Sequence, residues 1–210
     1  MLHYSAKDLQ ELPPRFRSNL INTCTGYKSC NLIGTLSDNG TSNLAIFNSV
    51  IHIGSNPPLL GFILRPLTVR RDSYNNFKHL GQFTVNHVNK TIIRSAHKTS
   101  AKYEKDISEF KESGLTEEYL AGFRAPYVKE SAIKIGCGYI NEYEIKENGC
   151  LLIIGGIEEI YLHASLQHKD GSVHLDRAST ISCSGLDGYA LPQLLTRLAY
   201  ARPSEEIREL

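Results

Sequence analysis

The sequence is poor in the features that mark most specialised classes of protein. No apolar run approaches the roughly 18 residues of a membrane-spanning helix. The N-terminus, MLHYSAKDLQELPPRFR, lacks the basic segment followed by an apolar one that a secretory signal requires. A cytoplasmic protein, with no membrane partner, is expected. A surplus of one charge is also missing, since 23 Lys and Arg face 22 Asp and Glu for a net charge of +1. Binding a nucleic-acid backbone needs basic residues in excess on one face, so nucleic acid is not expected as a partner. The five cysteines, Cys24, Cys30, Cys137, Cys150 and Cys183, include no CxxC pair, and most lie in apolar runs. That fits reduced, buried thiols. Cys24 and Cys30 would need two further ligands for zinc, and no nearby His or Cys has the spacing, so no metal is expected. No GxGxxG joins a strand to a helix, which removes a Rossmann nicotinamide domain. No internal repeat or low-complexity tract appears.

What is present is an ordinary globular composition, 41% hydrophobic and 21% charged over 210 residues, enough for one sizeable domain spanning 1–210. Ser5 opens a short amphipathic lead-in helix that Pro13 and Pro14 end, within an N-terminal region 1–29 of helix and loop. CNLIGTL and TSNLAIFNSV read as strands about an Asn39-Gly40 turn, and VIHIGSNPPLLGFIL as two more broken at Ser55 to Pro58. QFTVNHV is a further strand. Helical pieces are expected over 90–98, 107–112 and 116–123, with Tyr103 and Phe110 as anchors and the glutamates on solvated faces. Two long strands follow about Asn148-Gly149, with Gly155 and Gly156 as a bend or bulge. LPQLLTRLAYA has helical spacing, so 190–210 reads as a C-terminal helix and tail. The sum is a mainly β protein with peripheral helices, an antiparallel barrel.

One stretch carries chemistry. LRPLTVRRDSYNNFKHLG leaves an apolar run, crosses Arg65, Arg70 and Arg71, places Asp72 and Ser73 as candidate caps before a short helix, and stops at Gly81. Free N–H groups at a helix start, flanked by arginines, suit a phosphate monoester; a capped surface helix with solvated arginines is the structural alternative. Upstream, Asn43, Ala45, Phe47 and Ser49 alternate with Leu44, Ile46 and Asn48. Such a wall suits a flat heteroaromatic ring, with amide hydrogen bonds at its edge and Phe47 either on its face or in the core. Among the histidines, His52, His87 and His163 lie in strand-like runs, while His79 and His97 sit nearer these segments. No catalytic acid, base or nucleophile can be named.

These residues carry a resemblance. NLAIFNSVIHIGSNPPLLGFILRP, RRDSYNNFKHLGQFTVNHV, SAHKTSAKY with SEFKESGL, APYVKESAIKI and GLDGYAL, in order from about Gly34 to Tyr189, resemble the flavin reductase-like FMN-binding split barrels, the group that includes flavoredoxins. The resemblance implies an antiparallel split β-barrel of FMN-binding type, a homodimer with FMN held non-covalently at its interface. It implies cofactor contacts from Asn43, Ala45, Ile46, Phe47, Asn48 and Ser49, from Arg65, Arg71, Asp72 and Ser73 near the phosphate, and from Ser100 and Lys102. Ser73 stands where such proteins often have threonine, and Gly136-Cys137 where many carry an acidic residue before a cysteine. The implied activity is hydride transfer from NAD(P)H, as a transient co-substrate, to flavin and on to a small-molecule acceptor. An electron carrier without nicotinamide turnover, or a split barrel holding another phosphate ligand such as a pyridoxal compound, are the alternatives.

Overall fold

A computed structural model describes residues 1–104 and 106–210. Two short helices, Ala6–Glu11 (α1) and Pro14–Cys24 (α2), lead into strands Lys28–Ser29 (β1), Asn31–Leu36 (β2), Ser42–Phe47 (β3), Ile51–Ser55 (β4) and Pro58–Leu64 (β5). Helix Asp72–Leu80 (α3) and strand Gln82–His87 (β6) precede helices Ile93–Lys98 (α4) and Glu109–Ser113 (α5). Short strands Glu117–Glu118 (β7) and Tyr127–Val128 (β8) come next, then the long Ile133–Ile145 (β9) and Cys150–Leu162 (β10), and last Ser182–Ser184 (β11) and Gly188–Ala190 (β12).

Seven of these strands form one antiparallel sheet in the order β3-β2-β6-β9-β10-β5-β4. Its two edges, β3 and β4, are consecutive in the chain and separated only by Asn48, Ser49 and Val50. Seven flat strands would put those edges roughly 29 Å apart, whereas the connection reaches at most about 14 Å. The sheet must therefore curl until its edges approach. Ser49 fastens the curl, because its hydroxyl donates to the Ile63 carbonyl at 3.2 Å and accepts from the Ile63 N–H at 3.1 Å. Phe47 follows, meeting Phe62 edge-on with centroids 5.2 Å apart. On the far side, register shifts between Ile154 and Gly155 and between Ile157 and Glu159 bend β10 against β9, as expected for the paired glycines.

The alternation of β2 divides the core. Ile33 joins Phe62, Phe77, Phe83, Val85 and Ile153 inside the curl, while Leu32 faces Leu44, Val88, Phe110 and Ile181 on the other side. Phe110 is buried as its sequence context implied, and it anchors α5 there.

Two expectations fail, and a third holds but is incomplete. The proline pair does end α1, but it also starts α2, because Pro14 occupies the first helical position, where a missing N–H costs nothing. Residues 116–123 form no helix; Glu117 and Glu118 pair with Val128 and Tyr127 instead, so cross-strand pairing overrides local propensity. No helix forms over 190–210 either. Leu194, Leu195 and Leu198 are 55%, 88% and 50% exposed, so the apolar stripe has nothing to pack against, and packing supplies most of a short helix's stability.

Gly34, at the centre of β2, allows a close approach of backbone to backbone. A Cβ there would lie 2.3 Å from the Pro126 carbonyl oxygen and 2.6 Å from Thr84 Oγ1, which are themselves hydrogen-bonded at 2.6 Å. Backbone cannot swing aside as a side-chain tip can. Gly34→Ala is expected to destabilise the fold by about 1–3 kcal/mol, measured by urea unfolding, and a variant as stable as the parent would contradict this packing.

Candidate functional site

The chain leaves the sheet at Leu64, passes Arg65 and Pro66, and enters α3 at Asp72. The amphipathic pattern of α3 buries Ser73, Asn76 and Phe77, and the helix stops at Gly81, whose φ of 76° favours glycine. Polar contacts through Ser73, Asn76 and Tyr74 seat it, the last on a carboxylate that Tyr139 of β9 also binds. Asn43 Nδ2 donates to Ser73 Oγ at 3.0 Å, and Asn76 Nδ2 to Thr35 Oγ1 at 3.1 Å, tying α3 to β3 and β2. Tyr74 and Tyr139 both donate to the Glu142 carboxylate, at 2.9 and 3.0 Å. Burial pushes the Tyr74 hydroxyl pKa up, and its bond to Glu142 adds to the shift.

The N-terminus of α3 differs from the sequence expectation. Neither Asp72 nor Ser73 caps it; the cap position is Arg71, in extended conformation and with no side-chain cap bond. Asp72 is the first helical residue and its carboxylate is taken by Arg70. Ser73 is buried and its oxygen accepts from Asn43, which leaves its O–H free to donate. The first-turn N–H groups thus keep no side-chain acceptor of their own. Arg71 Nε is buried without a hydrogen-bond partner, and among the described residues no carboxylate pairs with its guanidinium. Arg65 is exposed and likewise unpaired among the described residues.

The edge strand β3 supplies the second half. Leu44 N–H points away from β2, since it donates to Glu109 Oε2 at 3.0 Å. In an antiparallel ladder the outward direction recurs every second residue, so Ile46 also presents its N–H and C=O outward, while Asn43, Ala45 and Phe47 turn theirs toward β2. The side chains divide the same way. Asn43 and Phe47 face α3 and the inner core, whereas Leu44 and Ile46 face the outer one. Phe47 is therefore a core ring, its edge packed with Phe62. Asn48 Nδ2 donates to the Gly185 carbonyl at 3.3 Å, which brings the GLDGYAL segment to the end of β3. Ser49 is spent on closing the curl.

Ser100 and Lys102 follow α4, which packs with α5 on β3. Ser100 Oγ donates to the His97 carbonyl at 2.7 Å, and both residues are exposed. Neither hydrogen-bonds to β3 or α3, so the structure puts them on the same side of the sheet without joining them to the phosphate-type end. A cleft of about 390 Å³ opens between α3, the turn from β2 to β3 and the loop before α5, with Asn43, Asp72, Asn75, His79 and Ile107 in its wall and neither Ser100 nor Lys102 among its lining residues.

Two contributors escaped the sequence reading. Glu109 is a half-buried acceptor on the sheet edge rather than part of a solvated face. Burial raises its pKa, the Leu44 N–H opposes that, and Asp72 nearby adds to the rise. Its position at the start of a helix was visible, but its partner 65 residues away was not. Tyr189 O–H meets His97 Nδ1 at 2.7 Å, linking the segment after β11 to α4. His87, by contrast, has its Nδ1 buried without a partner, and burial lowers its pKa to about 4, so it stays neutral inside the structure. Among the described residues no group of three or more His, Cys, Asp or Glu is placed to hold a metal, and no helix is long and apolar enough to cross a membrane.

The whole outline recurs in solved structures. A protein from Shewanella frigidimarina NCIMB 400, assigned to the flavin reductases with a split barrel domain, superposes with a TM-score of 0.92 at 43% identity over 96% of this chain and 100% of its own. Nitrilotriacetate monooxygenase component B from Bacillus cereus gives 0.82 at 21% identity over 94% and 98%, a likeness of fold. An uncharacterised protein from Aquifex aeolicus (strain VF5) is 26% identical over 107 residues, 50% of this chain and 55% of its own. The chain spans about half the length of the curated relatives it matches. The family model for the flavin reductase like domain matches residues 28–179, which takes in the curled sheet, the β3 edge and the α3 start, and the chain belongs to that family.

Proposed function

We propose that this protein binds FMN non-covalently and works as an NAD(P)H-dependent flavin oxidoreductase. The observation that carries the reading is Arg71 Nε, a buried donor without a partner, immediately before a helix start that has no side-chain cap. An orphaned buried donor is costly unless a ligand takes it up, and a dianionic phosphate satisfies a guanidinium, a hydroxyl and first-turn N–H groups together. Arg71 and the Ser73 hydroxyl would hold the phosphate, with Arg70 neutralising Asp72 so that no bare carboxylate opposes it. The outward N–H and C=O of Ile46 match the alternating donors and acceptors on the edge of a flavin ring, and Asn48 sits at the end of the same strand. When bound, the flavin supplies hydride acceptance from a reduced nicotinamide and electron delivery to a free flavin, oxygen or a protein acceptor. The chain's own residues bind and orient, and none is needed as acid or base. Arg65, Ser100 and Lys102 are exposed and stay secondary in this reading.

The protein is further proposed to be a homodimer. The open edge strand β4 exposes Ile51 and Ile53, and β9 and β10 expose Ile140 and Ile160, apolar surface of the kind a second copy covers.

Three outcomes follow. Fluorescence titration should show FMN binding about tenfold or more tighter than riboflavin, and Arg71→Ala should erase most of that difference; equal affinities would place no phosphate site at α3. Anaerobic NADH or NADPH should bleach the absorbance of bound flavin within catalytic times, and a flavin that both leave oxidised would favour an electron carrier. Sedimentation should give about twice the 23.5 kDa of one chain, and a monomer would remove the dimer.

A further inference from the structure

A second cleft, of about 410 Å³, lies away from the α3 start and is absorbed by nothing in the flavin reading. It forms where the loop 168–176 and the start of the C-terminal segment meet β11. The loop is a small hairpin. Gln167 bridges Val173, His168 N–H donates to the Ser172 carbonyl at 2.8 Å, and His174 N–H donates to the Leu166 carbonyl at 2.8 Å. That closure lays His168 against His174 with centroids 3.3 Å apart and planes 30° apart. Two stacked imidazoles are stable only if at least one is neutral, and burial together with the Arg177 charge lowers the His174 pKa. The pair therefore offers a flat π-surface in the cleft.

The apolar part of the lining is made by Val173 and Leu175 of the loop and by Pro192 and Leu194 of the C-terminal segment, and Asp176 is the carboxylate among the lining residues. Arg197 closes one end. Its guanidinium uses one nitrogen on the Asp170 carboxylate, and Asp170 is held in turn by the Ser172 N–H and hydroxyl. A guanidinium has five N–H donors in a planar fork, so most of the fork remains for a second carboxylate, with the Ser182 and Thr180 hydroxyls in the same wall.

We propose that this cleft is a binding site for a planar aromatic carboxylate of one or two rings, its ring against the imidazole pair and the apolar lining residues and its carboxylate on Arg197. The volume falls in the range of small-molecule sites, and the mix of apolar walls with a few convergent polar groups is their usual make-up. The proposal is independent of the flavin reading. It shares only the β11 region, where Ser182 lines this cleft and Gly185 receives Asn48.

Calorimetric titration of the full chain with 2-naphthoate tests it, with and without saturating FMN. Saturable binding at one site per chain is expected, unchanged by FMN, and weakened about tenfold or more by Arg197→Gln, by His168→Ala, or by replacing the ligand with 2-naphthalenemethanol. Because Arg197→Gln also unties the C-terminal segment from the loop, Asp170→Asn serves as its partner: it breaks the same tether but keeps the guanidinium, and it should bind at least as tightly as the parent. Absence of saturable heat, abolition of binding by FMN, indifference to Arg197→Gln, or equal loss in Asp170→Asn would each overturn the proposal.

Discussion

The three-residue connection from β3 to β4 is the constraint from which the rest of the structure follows. It joins the two edges of a seven-stranded sheet, so the sheet cannot lie flat. Closure is achieved without a ladder between those edges. A single hydroxyl, Ser49, satisfies both backbone groups of Ile63, and Phe47 fills the seam beside Phe62. Because no partner strand pairs with the outer side of β3, its outward groups stay available. Leu44 N–H is covered by Glu109 and the next in phase, Ile46, is open.

The same closure explains why the cofactor-type features meet. Curling carries β5 over the inner core, and the chain leaving it returns as α3 onto β2 and β3, where Asn43 and Thr35 receive it. The bonds from Tyr74 to Glu142 and from Lys78 to Tyr139 hold the helix from the β9 side. Its N-terminus is thereby set beside the β3 edge with donors unspent, and the polar groups that would otherwise cap it are engaged elsewhere. Asp72 is bound to Arg70 and Ser73 to Asn43. A site with free donors at both a helix start and a strand edge is what a phosphorylated heteroaromatic ligand requires, and belonging to the flavin reductase like family agrees with that requirement.

Electrostatics is local throughout. With a net charge of +1 there is no large overall charge to attract an anion, and individual groups differ in their surroundings. Arg71 lacks a partner where Arg70 has one, and Arg197 shares its fork where a lone surface arginine would be solvated. His87, away from these points, is held neutral by desolvation, and buried Lys134 is met by Glu118.

Much of this was legible in the chain. Period-two runs with Asn-Gly and Pro-Pro breaks located the long strands, the glycine pair announced the bend in β10, and the residues from Asp72 to Gly81 gave α3 and its stop. Those signals are local, and local sequence carries them. The sequence did not reveal that no side chain caps α3, that Phe47 belongs to the core, that Glu109 guards the sheet edge, that Glu117 and Glu118 pair as strand, or that the leucine stripe after Pro192 stays unwound. Each of these depends on a partner brought close only by the curl, or on the lack of one, and a distant neighbour leaves no periodicity behind. Composition and spacing determined most of the elements, because those signals are local; the three-residue bridge between sheet edges, acting over the whole sheet, decided which backbone and side-chain groups are left without partners.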